Sequence, residues 1–173
     1  ASKRNQAISL EAGLKYFILG SFASAFLLFG IALVYGSTSS FVLDEIMSIQ
    51  ENHGGQLPAY FHVGYIFIIV SILFKMAVAP FHFWSPDVYD GSPTVVTSFM
   101  TTVVKLGSSI AMYFLLAGFF KSQFENYSKF LLPIIAFSFL LGAILGLVQN
   151  NIKRTVYLEF LIHYLNINDI RKN

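Results

Sequence analysis

Long apolar blocks alternate with short polar stretches along this chain, and four of the blocks stand out: Leu10–Tyr35, Ala59–Phe81, Thr94–Phe120 and Phe130–Gln149. Each is apolar around most of its circumference rather than along one stripe, as expected for a helix that is solvated by lipid. A bilayer crossing takes about 20 mostly apolar residues, and every block is long enough. Hydrocarbon offers no water to backbone N–H and C=O groups, so each block is expected to pair them internally as a helix.

The pattern therefore predicts an all-α, polytopic membrane helical bundle in a single membrane domain over residues 1–173, with helices at about 10–35, 59–81, 94–120 and 130–149. Pro133 falls in the first turn of the fourth helix, where a missing N–H does no harm. Pro80, near the end of the second, predicts a kink or an opening there. Between the first two helices, FVLDEIMSI fits a short interfacial helix. After Arg154 the sequence TVYLEFLIHYLNINDIRKN starts as an apolar helix but turns polar too soon to span. It predicts a partial helix over about 153–166, lying at the interface or docked on a partner chain.

Composition sharpens this picture. The chain is 55% hydrophobic and 12% charged, against about 25% charged in soluble domains. So few charges could not cover a soluble surface. A net charge of +2, with no basic run interleaved with aromatics, gives no support for nucleic acid as a partner. The absence of cysteine removes disulfides, cysteine-bound zinc and iron–sulfur ligation from this chain. No Gly-rich phosphate loop, nucleophile elbow or histidine metal spacing is present. The 19 Phe and 9 Tyr fit the coding bias of an AT-rich genome such as a mitochondrial one. Alternating helices gather Lys3, Arg4, Lys153, Arg154, Arg171 and Lys172 on one side, leaving Lys121 and Lys129 on the other. The positive-inside rule then places both termini on the cytoplasmic or matrix side.

Against so apolar a background, two lysines raise the question of function. Lys105 lies roughly 16 Å from the nearer end of its block, too deep for easy snorkelling. Placing it there costs about 2.5–3.5 kcal/mol on insertion scales. Desolvation disfavours a charged ammonium, which allows such a lysine to exchange its proton in use. The other reading is structural: Lys105 hydrogen-bonds Thr101, Thr102 or Ser108 and holds helices together. Lys75 stands nearer a helix end, so snorkelling competes with function, but Pro80 frees carbonyls close by and broken membrane helices tend to border polar cavities.

His82 follows Lys75 by two helical turns, so both project from one face if the helix persists. It could relay protons near neutral pH or simply bond a carbonyl at the interface. Glu11 and Lys15 have the favourable i,i+4 order of a helix-start ion pair. Trp84 and Tyr89 fit an interfacial aromatic belt. Gly142 with Gly146, and more loosely Gly20 with Ser24, suggest close helix packing. Asp87 and Asp90 read as cap and turn residues.

Three stretches carry a resemblance: SLEAGLKYFILGSFASAFLLFGIALVYG (Ser9–Gly36), FKMAVAPFHFWSPDVYDGSP (Phe74–Pro93) and VQNNIKR (Val148–Arg154). They resemble the antiporter-like proton-pumping subunits of respiratory complex I, and among these the NADH dehydrogenase subunit 2 branch. The likeness covers residues 9–154 and looks like the family's sixth to ninth membrane helices, with 155–173 entering the tenth. It implies that Lys75 corresponds to the lysine of a broken seventh helix and Lys105 to the central lysine of the eighth. His82 and the Glu11/Lys15 pair fall on family positions that influence activity.

The resemblance further implies a membrane subunit of NADH:ubiquinone oxidoreductase contributing to proton translocation across the inner mitochondrial membrane, with Lys75, Lys105 and His82 as the relay and Glu11 with Lys15 in support. No redox cofactor is expected in this chain; flavin, iron–sulfur clusters and quinone belong to partner subunits. Expected partners are lipids, the other complex I membrane subunits, and a chain supplying flanking helices. A full family member has about fourteen helices, including a fifth-helix glutamate and a twelfth-helix lysine that lie outside this sequence. The segment after Arg154 departs from the usual Ala-Tyr-Ser-Ser run, although His163 keeps its spacing. Together these departures suggest a middle piece of a split subunit. Two other readings stay open: an assembly fragment without a working channel, and a subunit of a cation/proton antiporter.

Overall fold

The computed structural model describes residues 7–53 and 56–148. Among these the secondary structure is entirely helical. Helix α1 runs from Ala7 to Thr38, and its charges, Glu11 and Lys15, both lie in its first half. Helix α2, Leu43–Asn52, follows a short turn. Its Ile46 and Gln50, one turn apart, face the interior. This is the short helix expected between the first two spans.

Helix α3 starts after Pro58 and covers Ala59–Met76. It ends earlier than the sequence pattern suggested. Ala77 caps it in the left-handed region at φ 55°. The N–H groups of Ala77 and Val78 close back on the Phe74 and Leu73 carbonyls at 3.0 and 3.1 Å. The cause lies in Pro80, which has no N–H to donate and pushes its predecessor out of the helical conformation. The Ala79–Pro80 peptide is cis. The chain then turns through 77–84 into the short helix α4, Ser85–Gly91.

Helix α5, Thr94–Phe99, passes into a π-helical segment at Met100–Val104 and then into α6, Lys105–Val148. The sequence pattern placed a break between two spans here, with Pro133 opening the second. Instead helical backbone continues throughout and Pro133 lies inside it. Residues 121–130 contain neither Gly nor Pro, so nothing in the sequence ends the helix. A straight α6 would be about 66 Å long. Two contacts show that it is not straight. The Tyr65 hydroxyl donates to the Leu115 carbonyl at 3.2 Å, and the Ala79 N–H donates to Ser138 Oγ at 3.3 Å. Gly107 and Ser108 share a cavity with Lys75 near the far end of α3, so α6 first runs antiparallel to α3. Ser138 nevertheless reaches Ala79 just beyond the end of α3, so α6 is bent along its length.

Among the described residues, three helices have the length and composition to cross a membrane, Ser9–Thr38, Ala59–Met76 and Thr94–Leu116, and Leu131–Ile144 is a shorter apolar stretch. The main core joins Val34, Ile46, Met112 and Leu131 to the buried face of α3, including Phe61, Tyr65, Ile69 and Leu73. A second core holds Ala77, Trp84, Val88 and Tyr89 under the α3–α4 break. Trp84 and Tyr89 are thus core residues, 9% and 1% exposed, and not members of an interfacial belt. The turn that follows the break folds them inward, which block periodicity alone could not signal.

Close packing of α1 on α3 depends on a glycine pair that the sequence motifs did not single out. A Cβ on Gly30 would lie 2.7 Å from the Gly64 carbonyl oxygen, and one on Gly64 would lie 2.8 Å from that of Gly30. Nothing stands within 4 Å of a Cβ on Gly20, and Ser24 donates to the Gly20 carbonyl within its own helix. Gly142 is buried, and residues 149–173, His163 among them, lie outside the described residues. Ser71 adds a polar tie between α1 and α3, its hydroxyl donating to the Ala23 carbonyl at 2.7 Å.

Candidate functional site

The break after α3 sets the geometry of the site. Lys75 occupies the last turn of α3, with a left-handed residue two positions on. In this chain Lys75 is exposed, unlike the hydrocarbon-buried position its block suggested. The exposure is directional, because Lys75 lines two cavities at once. One, of about 690 Å³, lies toward α4 and is lined also by Tyr16, Trp84, Tyr89, Met100 and Val104. The other, of about 480 Å³, extends toward α2 and is lined also by Tyr65, Ser40, Ile46, Gly107 and Ser108.

Lys105 is the opposite case. It is 3% exposed and follows the π-helical segment directly. A π turn inserts one residue into the helical repeat and so re-aims the side chains after it. Thr97, Thr101 and Lys105 are all buried and succeed one another at four-residue intervals, forming a polar line on this helix. The hydroxyls of Thr101, Thr102 and Ser108 donate to backbone carbonyls one turn earlier, at Thr97, Ser98 and Val104. These bonds keep the hydroxyl groups satisfied inside an apolar layer.

His82 does not share a helical face with Lys75, because α3 ends at Met76 and the register between them is lost. It is 9% exposed and its ring stacks on Phe83 at 4.8 Å. Burial holds it below the ordinary histidine value, partly offset by the Pro80 backbone. A neutral ring is therefore favoured near pH 7.

Glu11 and Lys15 do pair, at 2.7 Å. The same Lys15 Nζ lies 2.7 Å from Asp87 Oδ2, so one ammonium joins α1 to α4. Asp87 is thus an ion-pair partner and not simply a cap. Sequence spacing could not reveal this, since the partners are 72 positions apart. Gln50 was also missed: it is 1% exposed, and its Nε2 has no hydrogen-bond partner among the described residues. Its only sequence signal was a position four residues after Ile46 on an otherwise apolar helix face.

Residues 1–158 match the profile of a family described as NADH:quinone oxidoreductase/Mrp antiporter, transmembrane. The chain belongs to that family. NADH-quinone oxidoreductase subunit N of Flavobacterium psychrophilum is 40% identical over 163 residues, covering 94% of this chain and 35% of the relative. The subunit N of Magnetococcus marinus is 40% identical over 164 residues, with 94% and 34% covered. Among solved structures, respiratory complex I from Thermus thermophilus with bound aureothin contains a chain that matches with a TM-score of 0.72 and 35% identity, over 94% of this chain and 34% of that one. The chain thus spans about a third of these relatives. The antiporter-like membrane fold is established for this chain, and the subunit N relatives agree with it.

Proposed function

We propose that the chain is the lysine-bearing part of a proton-translocating membrane subunit of complex I, equivalent to bacterial subunit N and to NADH dehydrogenase subunit 2. The observation that carries this reading is the presence in one helical bundle of Lys75, at a broken helix end between two cavities, and of Lys105, buried directly after a π-helical segment. Lys75 holds a proton when a carboxylate from the rest of the fold stands near, and releases it toward Lys105 when that pairing loosens. Hydroxyl groups and water bridge the two, and a neutral His82 assists as a proton acceptor. Glu11 with Lys15 supports the arrangement from α1.

The chain contributes to the oxidoreductase as a membrane subunit and carries no redox chemistry of its own. Flavin, iron–sulfur clusters and quinone are held by partner subunits of the same complex. The Phe- and Tyr-rich composition favours the inner mitochondrial membrane as its location, with both ends of the described segment on the matrix side.

The deciding experiment measures proton pumping and NADH oxidation in complexes carrying Lys105→Met. Pumping should fall while the complex still assembles. Unchanged pumping would remove Lys105 from the relay.

A further inference from the structure

A chain of contacts connects the surface ion pair of Lys15 to the helix end that presents Lys75. Lys15 Nζ is 2.7 Å from Asp87 Oδ2 and 2.7 Å from Glu11 Oε1. Asp87 lies in the first turn of α4, the short helix immediately after the break. Trp84, which caps α4, donates its indole N–H to the Phe74 carbonyl at 3.3 Å, and the two rings stack at 5.9 Å. Phe74 directly precedes Lys75. Tyr16, next to Lys15 on α1, meets the same indole at 6.0 Å, and Tyr16, Phe74, Lys75 and Trp84 line one cavity.

A helix of seven residues has little stability of its own and takes its position from what holds it. Here the apolar side of α4 is held by Val88 and Tyr89 in the second core, and Asp87 ties it to α1 through a charged contact. The Phe74 carbonyl lies in the last turn of α3, where helical partners run out. It accepts from the Ala77 N–H and from the Trp84 indole. Loss of the Asp87 contact would free α4 to shift, and Trp84 would carry the last turn of α3 with it.

We propose that Asp87 is a positioning residue for Lys75: its ion pair with Lys15 docks α4 on α1, and Trp84 transmits that docking to the α3 terminus that aims the Lys75 ammonium. The proposal rests on the proton-relay reading of Lys75 and Lys105. Asp87 itself touches neither lysine of the relay; it fixes the direction from which Lys75 meets its cavities.

The test uses the whole assembled complex in proteoliposomes, with Asp87→Asn, Asp87→Glu and Lys105→Met made in parallel. Two quantities are read: protons pumped per NADH oxidised, and backbone hydrogen exchange over residues 74–91. Asp87→Asn should lower the pumping ratio roughly twofold or more and speed exchange in α4, while Asp87→Glu restores both. An unchanged ratio with Asp87→Asn, or unchanged exchange, overturns the proposal. So does a loss that Asp87→Glu fails to restore. If Asp87→Asn does not assemble, Trp84→Phe decides, because it keeps the stacked ring and deletes only the N–H to Phe74. A lowered pumping ratio in Trp84→Phe supports the proposal, and an unchanged one overturns it. Lys105→Met with undiminished pumping would instead defeat the underlying relay reading, whatever the Asp87 variants do.

Discussion

Gly30 and Gly64 face each other across α1 and α3 so closely that neither could carry a side chain without meeting the other's carbonyl oxygen, at 2.7 and 2.8 Å. The obstructing atoms are backbone, which cannot rotate aside as a side-chain tip would. In a bilayer, where apolar burial does not drive helices together, such close approach is a main source of association.

Gly64→Ala is expected to force α1 and α3 apart and to destabilise the subunit by about 1–3 kcal/mol, the usual cost of overpacking. Gly20→Ala, where nothing lies within 4 Å, is expected to be neutral. Thermal inactivation of the assembled complex compares the two. Equal behaviour of both variants would show that the glycine contact does not hold the helices.

Gln50 predicts an effect of the opposite sign. Its amide is buried at 1% exposure, and its Nε2 has no partner among the described residues, so it bears a desolvation cost without a compensating bond. Gln50→Leu is expected to leave stability unchanged or to raise it by about 1 kcal/mol. A drop in thermal stability of that size would mean that the amide is hydrogen-bonded in the assembled complex.

His82 predicts a pH effect. Burial lowers its proton affinity below the ordinary value of 6.5, so the unfolded chain binds a proton that the folded chain resists. Stability contributed by the neutral ring is therefore fully present above that value and falls as pH drops below it. Thermal inactivation of the wild-type complex should accelerate on acidification from pH 7 toward pH 5 more than that of His82→Gln. Identical profiles would show that His82 does not titrate against the fold.

Block length and apolarity were enough to read an all-helical membrane bundle, since lipid permits little else. The break near Pro80 was legible for a local reason, the missing N–H. Its true position at Ala77 was not, because that depends on which carbonyls the turn can satisfy. Loss of helix there separated His82 from the Lys75 face. The Lys15–Asp87 pair, the Gly30–Gly64 contact and the burial of Trp84 and Tyr89 all depend on segments distant in sequence, which spacing within a block cannot detect. Lys75 and Lys105 stood out because charge is rare in these blocks, yet only the structure separated an open lysine between two cavities from an enclosed one. Nothing in MTTVV marked it as a π-helical segment.

That five-residue π segment at Met100–Val104 makes the aim of Lys105 depend on which backbone pairing the helix adopts there. Each α-helical residue advances the helix by about 100°, so relaxation of this stretch into an ordinary α-helix with no change in its length would swing the lysine about a quarter-turn away from its enclosed side. Such a change of backbone pairing would leave every side chain of the helix intact and still re-aim the lysine.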